Sequence, residues 1–232
     1  MNKIIRIYIF KIRLIIKILL KKEISFFELL LSQYINKDFF FVQIGANDGK
    51  KWDPIFKYVN FLKISGIALE PVKEIYKKLV LNYKNNQQVK LINKAIHNTE
   101  KEAILYKVNP EIKNIPDWTE GTASFLKSHH QLSGFDETML IEEKVSCISF
   151  NELILQEKIS TISLLQIDTE GYDFEIINSI NFDVIKPRII SFEHGIKSNI
   201  NSVDSFNILQ NYLRERGYKF WINDFDAIAF LD

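Results

Sequence analysis

Two short stretches concentrate side chains able to move protons. "QIDTEGYDFE" at 166–175 offers Asp168, Glu170 and then Gly171, and "SFEHG" at 191–195 offers Glu193 beside His194. Each follows an apolar run that reads as a strand. Both therefore lie at strand carboxyl ends, where open α/β sheets form their ligand crevice. A carboxylate there, or an imidazole titrating near neutrality, suits removal of a hydroxyl proton. Adjacent strand residues point to opposite faces, so only one of Glu193 and His194 is expected to face the crevice. Asp168 has three readings: partner of a ligand's ammonium group, general base, or metal ligand. Glu170 reads either as a crevice residue or as a cap on the next helix, where a carboxylate meets the dipole favourably. Asp168, Glu170, Glu193 and His194 carry donors suited to Mg²⁺ or a transition ion. No spacing is diagnostic, so a divalent metal stays open without being indicated.

A second constellation lies upstream, in "FVQIGANDGK" at 41–50. An aromatic and β-branched run stops at Gly45, and Gly49 follows. Residues without Cβ let main chain adopt positive φ and press against a ligand. The dinucleotide fingerprint and the P-loop are both absent. Glu70, 21 positions after Gly49, ends a second apolar run, where a carboxylate can accept hydrogen bonds from ribose hydroxyls. Strand, glycine turn and acid at the next strand end indicate an adenosine ligand.

These residues need a scaffold, and the chain supplies one. Short apolar strands at 39–44, 66–70, 89–96, 162–168 and 187–194 alternate with helices at 53–63, 71–86, 149–158, 172–180 and 202–217. That alternation predicts a doubly wound, mostly parallel α/β sheet. "YKFWI" and "AIAFL" close it as an antiparallel edge hairpin turning at 223–226. "EAILYKV" at 102–108 alternates as a further strand. Residues 109–144 lack periodicity and read as a long substrate-side excursion. Within it Trp118, Thr122 and Ser124 are candidates for shaping an acceptor pocket, Trp118 by stacking on a sugar ring. His129 and His130 are read as lid or surface residues.

Of 232 residues 47% are apolar, enough for a sizeable core. The lone Cys147 excludes a disulfide framework and fits a reducing, cytoplasmic setting. Residues 1–36 form a helical arm ahead of a domain at 37–232. Seven of the 30 basic residues fall in 1–22 with no acid, leaving 23 against 29 acidic ones, a balance of −6. Placed on a helix, Ile5, Tyr8, Ile9, Ile12, Ile15, Ile16, Leu19 and Leu20 share one face. The cations fall in the other half, mixed with Ile7, Phe10, Leu14 and Ile18. Two readings stand: a helix on an anionic membrane surface, peripheral at its inner face, or one packed on its own domain or on a partner subunit. The aliphatic content weighs against a nucleic-acid arm, and the oligomeric state is unassigned.

The chain resembles the FkbM-like family of S-adenosylmethionine-dependent methyltransferases. "FVQIGANDG" (41–49), "GIALEP" (66–71), "LINKAIHN" (91–98), "TASFL" (122–126), "LLQIDTEGYDFEII" (164–177) and "SFEHG" (191–195) carry the resemblance. They are collinear over about two thirds of the chain. The resemblance implies a class I, Rossmann-like methyltransferase fold. It implies that Gly45, Asn47 and Gly49 cradle the methionine end of the cofactor and that Glu70 holds the ribose. Asn93 and Ala95 would lie near the adenine, and Glu170 on the substrate side. Gln43 departs from the acid many such enzymes carry, leaving the cofactor's amino group to neutral hydrogen bonds or to Asp168. The implied reaction is O-methylation of a hydroxyl, often on a sugar of a surface glycan or a secondary metabolite. The rival readings are a nicotinamide-dependent oxidoreductase and a non-catalytic, membrane-associated binding module on the same fold.

Overall fold

The computed structural model describes residues 1–232. The arm forms α1 (Lys3–Leu19), capped by the Asn2 side chain, and α2 (Phe26–Tyr34), capped by Ser25. Strand β1 (Phe40–Ile44) leads through the glycine turn to α3 (Phe56–Leu62), whose first amides donate to Asp53 Oδ1. Next come β2 (Ser65–Leu69), α4 (Lys73–Tyr83), β3 (Val89–Ile92), the short β4 (Ala95–Ile96) and β5 (Glu102–Val108). The excursion carries a 3₁₀ turn at Asp117–Gly121 and α5 (Lys127–Leu132), then enters β6 (Leu140–Ile148). A Ser149–Glu152 capping box starts α6 (Phe150–Gln156). The chain ends with β7 (Leu164–Ile167), α7 (Asp173–Ser179), β8 (Ile189–Glu193), α8 (Val203–Arg214), β9 (Lys219–Ile222) and β10 (Asp226–Phe230).

Seven strands form one sheet in the order β3-β2-β1-β7-β8-β10-β9, and only β10 runs against its neighbours. The doubly wound α/β expectation holds, with β9 at the edge. One sheet face, through Phe41, Ala68, Leu164 and Ile189, packs on α1 to α4. The other, through Val42, Ile44, Leu69, Leu165, Ile167 and Ile190, packs on α6, α7 and α8. Burial on both faces explains why these strands read as continuous apolar runs.

Register sets the site. Ile44 pairs with both Leu69 and Ile167, and Leu69 with Ile92. The residues that follow, Asn93, Glu70, Gly45 and Asp168, therefore stand side by side. Gln166 pairs with Ser191, so Glu193 extends the same row. One line of polar groups runs along the carboxyl edge of the sheet.

Two expectations change. The irregular stretch stops at Met139, because Leu140–Ile148 is a strand pairing antiparallel with β5 and, at its far end, parallel with β4. This second sheet buries Ala95, Leu105, Val145 and Cys147 against Val72 and Ile75. In the arm, Ile7, Phe10 and Leu14 are the buried residues, and Ile7 and Phe10 pack among residues of α2 and α3. Phe10 meets the Tyr58 ring edge-on. Ile5, Tyr8, Ile12, Ile15, Ile16, Leu19 and Leu20 point away from the body.

Candidate active site

A narrow crevice opens over the strand ends. Gly45, Asn47, Glu70, Ala95, Asp168 and Glu170 line it, as the sequence suggested. Pro71, Ile96, Leu105, Gly121, Ala123 and Phe125 add apolar or bare surface, and Lys94 adds a cation.

On the β2 side the carboxylate is fixed by main chain. Glu70 Oε2 accepts from the Asn47 amide at 2.9 Å and Oε1 from the Val72 amide at 2.8 Å. The side chain is 5% exposed, and burial pushes it up to about 7, even though both amides favour its charged form. Asn93 Nδ2 donates to the Glu70 and Pro71 carbonyls, so Asn93 ties two strand ends together and does not line the crevice. The glycines have reasons the sequence did not reveal. A Cβ at Gly45 (φ +77) would sit 1.7 Å from the Asp168 carbonyl oxygen. A Cβ at Gly49 (φ +68) would strike Leu79 and Tyr83 of α4, and Gly49 stays outside the crevice. Gly45 thus lets the β1 and β7 turns touch, and Gly49 seats α4. Gln43 is also absent from the crevice: it is buried on the opposite sheet face and reaches Asp53.

On the β7 side acids gather. Asp168 is exposed to solvent at the crevice, so water offsets much of its desolvation. Burial, then the carboxylates of Glu170, Asp173, Glu193 and Asp226, push it well above the usual carboxylate range. Glu193 is pushed up to about 7 by burial and then by Glu170 and Asp173, with His129 acting the other way. Asp173, pushed up to about 6 by burial, accepts from the Thr169 amide at 2.9 Å and the Glu193 amide at 3.0 Å. It joins the two acidic turns.

His194 does not face this group, as strand alternation required of one of the pair. It is 4% exposed, Nδ1 accepts from the Ile196 amide at 3.2 Å, and Nε2 contacts the Asn223 carbonyl at 3.1 Å. Both ring nitrogens are occupied by backbone, which removes it as a proton acceptor for a ligand. Glu170 caps no helix. It holds a left-handed backbone (φ 55), and its side chain meets His129 Nε2 at 2.9 Å. Ser124 Oγ donates to the Glu170 carbonyl at 2.7 Å, so Ser124 clasps the acidic turn and offers its hydroxyl to nothing else in the crevice. Thr122 Oγ1 donates to the Thr119 carbonyl, closing its own turn. Trp118 lies edge-on to Phe135, outside the crevice. His129 and His130 are buried, not on the surface. Nothing near His129 in sequence signals its pairing with Glu170. Asp173 had a signal: an acid in the first turn of a helix placed directly after an acidic strand end.

The profile of the methyltransferase FkbM domain matches residues 43–220. No curated protein sequence matches the chain. Among solved structures, the METTL16 methyltransferase domain has 11% identity and a TM-score of 0.48 over 88% of this chain and 65% of that one. Precorrin-6y C5,15-methyltransferase from Geobacter metallireducens has 13% identity and a TM-score of 0.45 over 87% and 85%. A fibrillarin/Nop5p complex has 10% identity and a TM-score of 0.44 over 85% and 75%. The chain spans just under two thirds of the first of these.

Proposed function

Since this chain belongs to the methyltransferase FkbM domain family, matched over residues 43–220, we propose that it takes S-adenosylmethionine as methyl donor and a hydroxyl as acceptor. The acceptor class we propose is a sugar of a surface glycan or a secondary metabolite. The observation carrying this reading is the row Glu70–Gly45–Asp168 opening into one crevice, with Glu193 next along the same sheet edge but outside the crevice lining.

The residues present fit such a donor. Glu70 is a buried carboxylate held near a pKa of about 7. Each of its oxygens takes one amide and keeps a second lone pair for a ribose hydroxyl. Pro71, Ala95 and Ile96 offer apolar surface for a flat ring. Gly45 and Asn47 present main chain, and Asp168 offers negative charge for an ammonium group. Bound there, S-adenosylmethionine supplies an electrophilic methyl group on a positively charged sulfur. That charge disperses as transfer proceeds, so a carboxylate touching sulfur would favour the ground state. Side-chain assistance belongs at the acceptor oxygen. Glu193, half-buried at the end of the row and raised to about 7, is the base we assign, with Asp168 beside it. A positioned base contributes about 10²–10⁴-fold.

Calorimetric titration of S-adenosylmethionine into the full chain tests the first half. Glu70→Ala is expected to weaken binding at least about tenfold, the scale of losing hydrogen bonds to a charged group. Unaltered affinity would remove Glu70 from the donor site. Incubation with glycan and metabolite extracts, read by mass spectrometry for a gain of one CH₂, tests the second half.

A further inference from the structure

The arm helix α1 has two apolar faces, and the fold uses one. Ile7, Phe10 and Leu14 are buried. Arg6 donates to the Phe61 carbonyl at 2.8 Å, the Arg13 guanidinium lies over the Phe61 ring, and Lys17 pairs with Glu28 at 2.8 Å. These contacts fix the helix rotation. On the opposite side Ile5, Ile12, Ile15, Ile16 and Leu19 are 47–74% exposed, with Ile4, Tyr8 and Leu20 beside them. Elsewhere the exposed large apolar residues are spread among other elements, which is ordinary for a folded surface. A continuous apolar strip on one helix is not.

We propose that α1 docks this face into the interfacial region of an anionic lipid leaflet, lying in the plane of the membrane. Charge placement selects the occupant. Lys11 borders the strip on one side and Lys21 and Lys22 follow the helix end, while Arg6, Arg13 and Lys17, on the other side, are engaged by the body. Residues 1–22 hold no acid. Lys17 is the one cation of this segment in an ion pair. Lys11, Lys21 and Lys22, in no ion pair with the body, can reach headgroups while their stems lie along the acyl boundary. A second copy of the chain suits the strip less well. A two-fold dimer would lay the strip on itself and set each cationic border near another, with no carboxylate of the segment between them. No helix is long and apolar enough to cross a membrane. The 17 residues of α1 extend about 26 Å, a length that lies flat along a leaflet. This proposal stands independently of the methyl-transfer reading.

The test is flotation of the full chain with vesicles of phosphatidylcholine alone or doped with phosphatidylglycerol. The chain is expected to float with the anionic vesicles, to float weakly with the neutral ones, and to release as salt rises. Ile12→Glu/Ile16→Glu changes only exposed positions, so its thermal melt should match the parent, while its partitioning falls at least about tenfold. Lys21→Glu/Lys22→Glu should lose the preference for anionic lipid. Three results overturn the proposal. They are wild-type protein left in the soluble fraction, an Ile12→Glu/Ile16→Glu chain that floats like the parent, or a sedimentation dimer that this variant dissociates without vesicle binding. The last result would assign the strip to a second copy.

Discussion

The two halves of the crevice handle negative charge differently. On the β2 side one carboxylate, Glu70, is held by two main-chain amides and raised by burial. On the β7 side the carboxylates of Glu170, Asp173 and Glu193 add to burial in raising Asp168, and those of Glu170 and Asp173 add to burial in raising Glu193. The first arrangement fixes a single acceptor in one geometry, which suits recognition of a constant group. The second spreads protons over several sites near neutrality, which suits exchange of a proton with a reacting group. Burial with two amide donors makes a binding carboxylate; burial with several like neighbours makes one that trades protons.

The largest expected effect breaks the second half alone. Glu193→Gln should lower kcat by about 10²–10⁴-fold and leave donor affinity within about twofold. An unchanged kcat would move the base to Asp168. Next, Gly45→Ala strikes the seam between the halves. Its Cβ has no room beside the Asp168 carbonyl, and φ is +77. A loss of about 2–4 kcal/mol in denaturant unfolding is expected. A neutral result would mean that the turns part easily. Glu70→Gln tests the first half more gently than removal of the side chain. Donor affinity should fall by about 0.5–1.5 kcal/mol with kcat little changed.

The pH dependence follows from the shared feature. Glu70 and Glu193, at about 7, and Asp173, at about 6, lie above their unfolded values. A raised carboxyl contributes stability that is present at low pH and is lost as pH rises through the folded value. The ligand-free melting temperature should therefore fall between about pH 5 and pH 8, by a few degrees in calorimetry. A donor whose hydroxyls favour ionised Glu70 should bind more tightly across the same interval. A melting temperature that rises with pH would contradict the buried acids. Smallest is Trp118→Ala, on the excursion rather than the row, with an expected stability change within about 0.5 kcal/mol.

What the sequence disclosed was local. The run into Gly45, the acid after β2 and the D-x-E-G turn each sit within a few residues of a strand end, and parallel register brings such ends together. Alternation separated Glu193 from His194 correctly. Strand β6 was hidden because "LIEEKVSC" carries charges on its open side and only a short apolar side, which faces Leu105 and Ala95. The roles of Ser124 and His129 depend on partners 46 and 41 positions away in the chain, and no local pattern encodes such a pairing. The rotation of α1 was undecidable from periodicity, since apolar residues occupy both sides of it. The packing against α2 and α3 chose the side.

Glu170 owes its posture to Ser124 and His129, both carried by the loop that leaves β5. A protease nick between Asn109 and Met139 would leave the large sheet whole and still disarm the chemistry. The floor would lose the fasteners that keep one of its acids turned inward. Integrity of a surface segment thereby becomes a condition for the charge pattern underneath it.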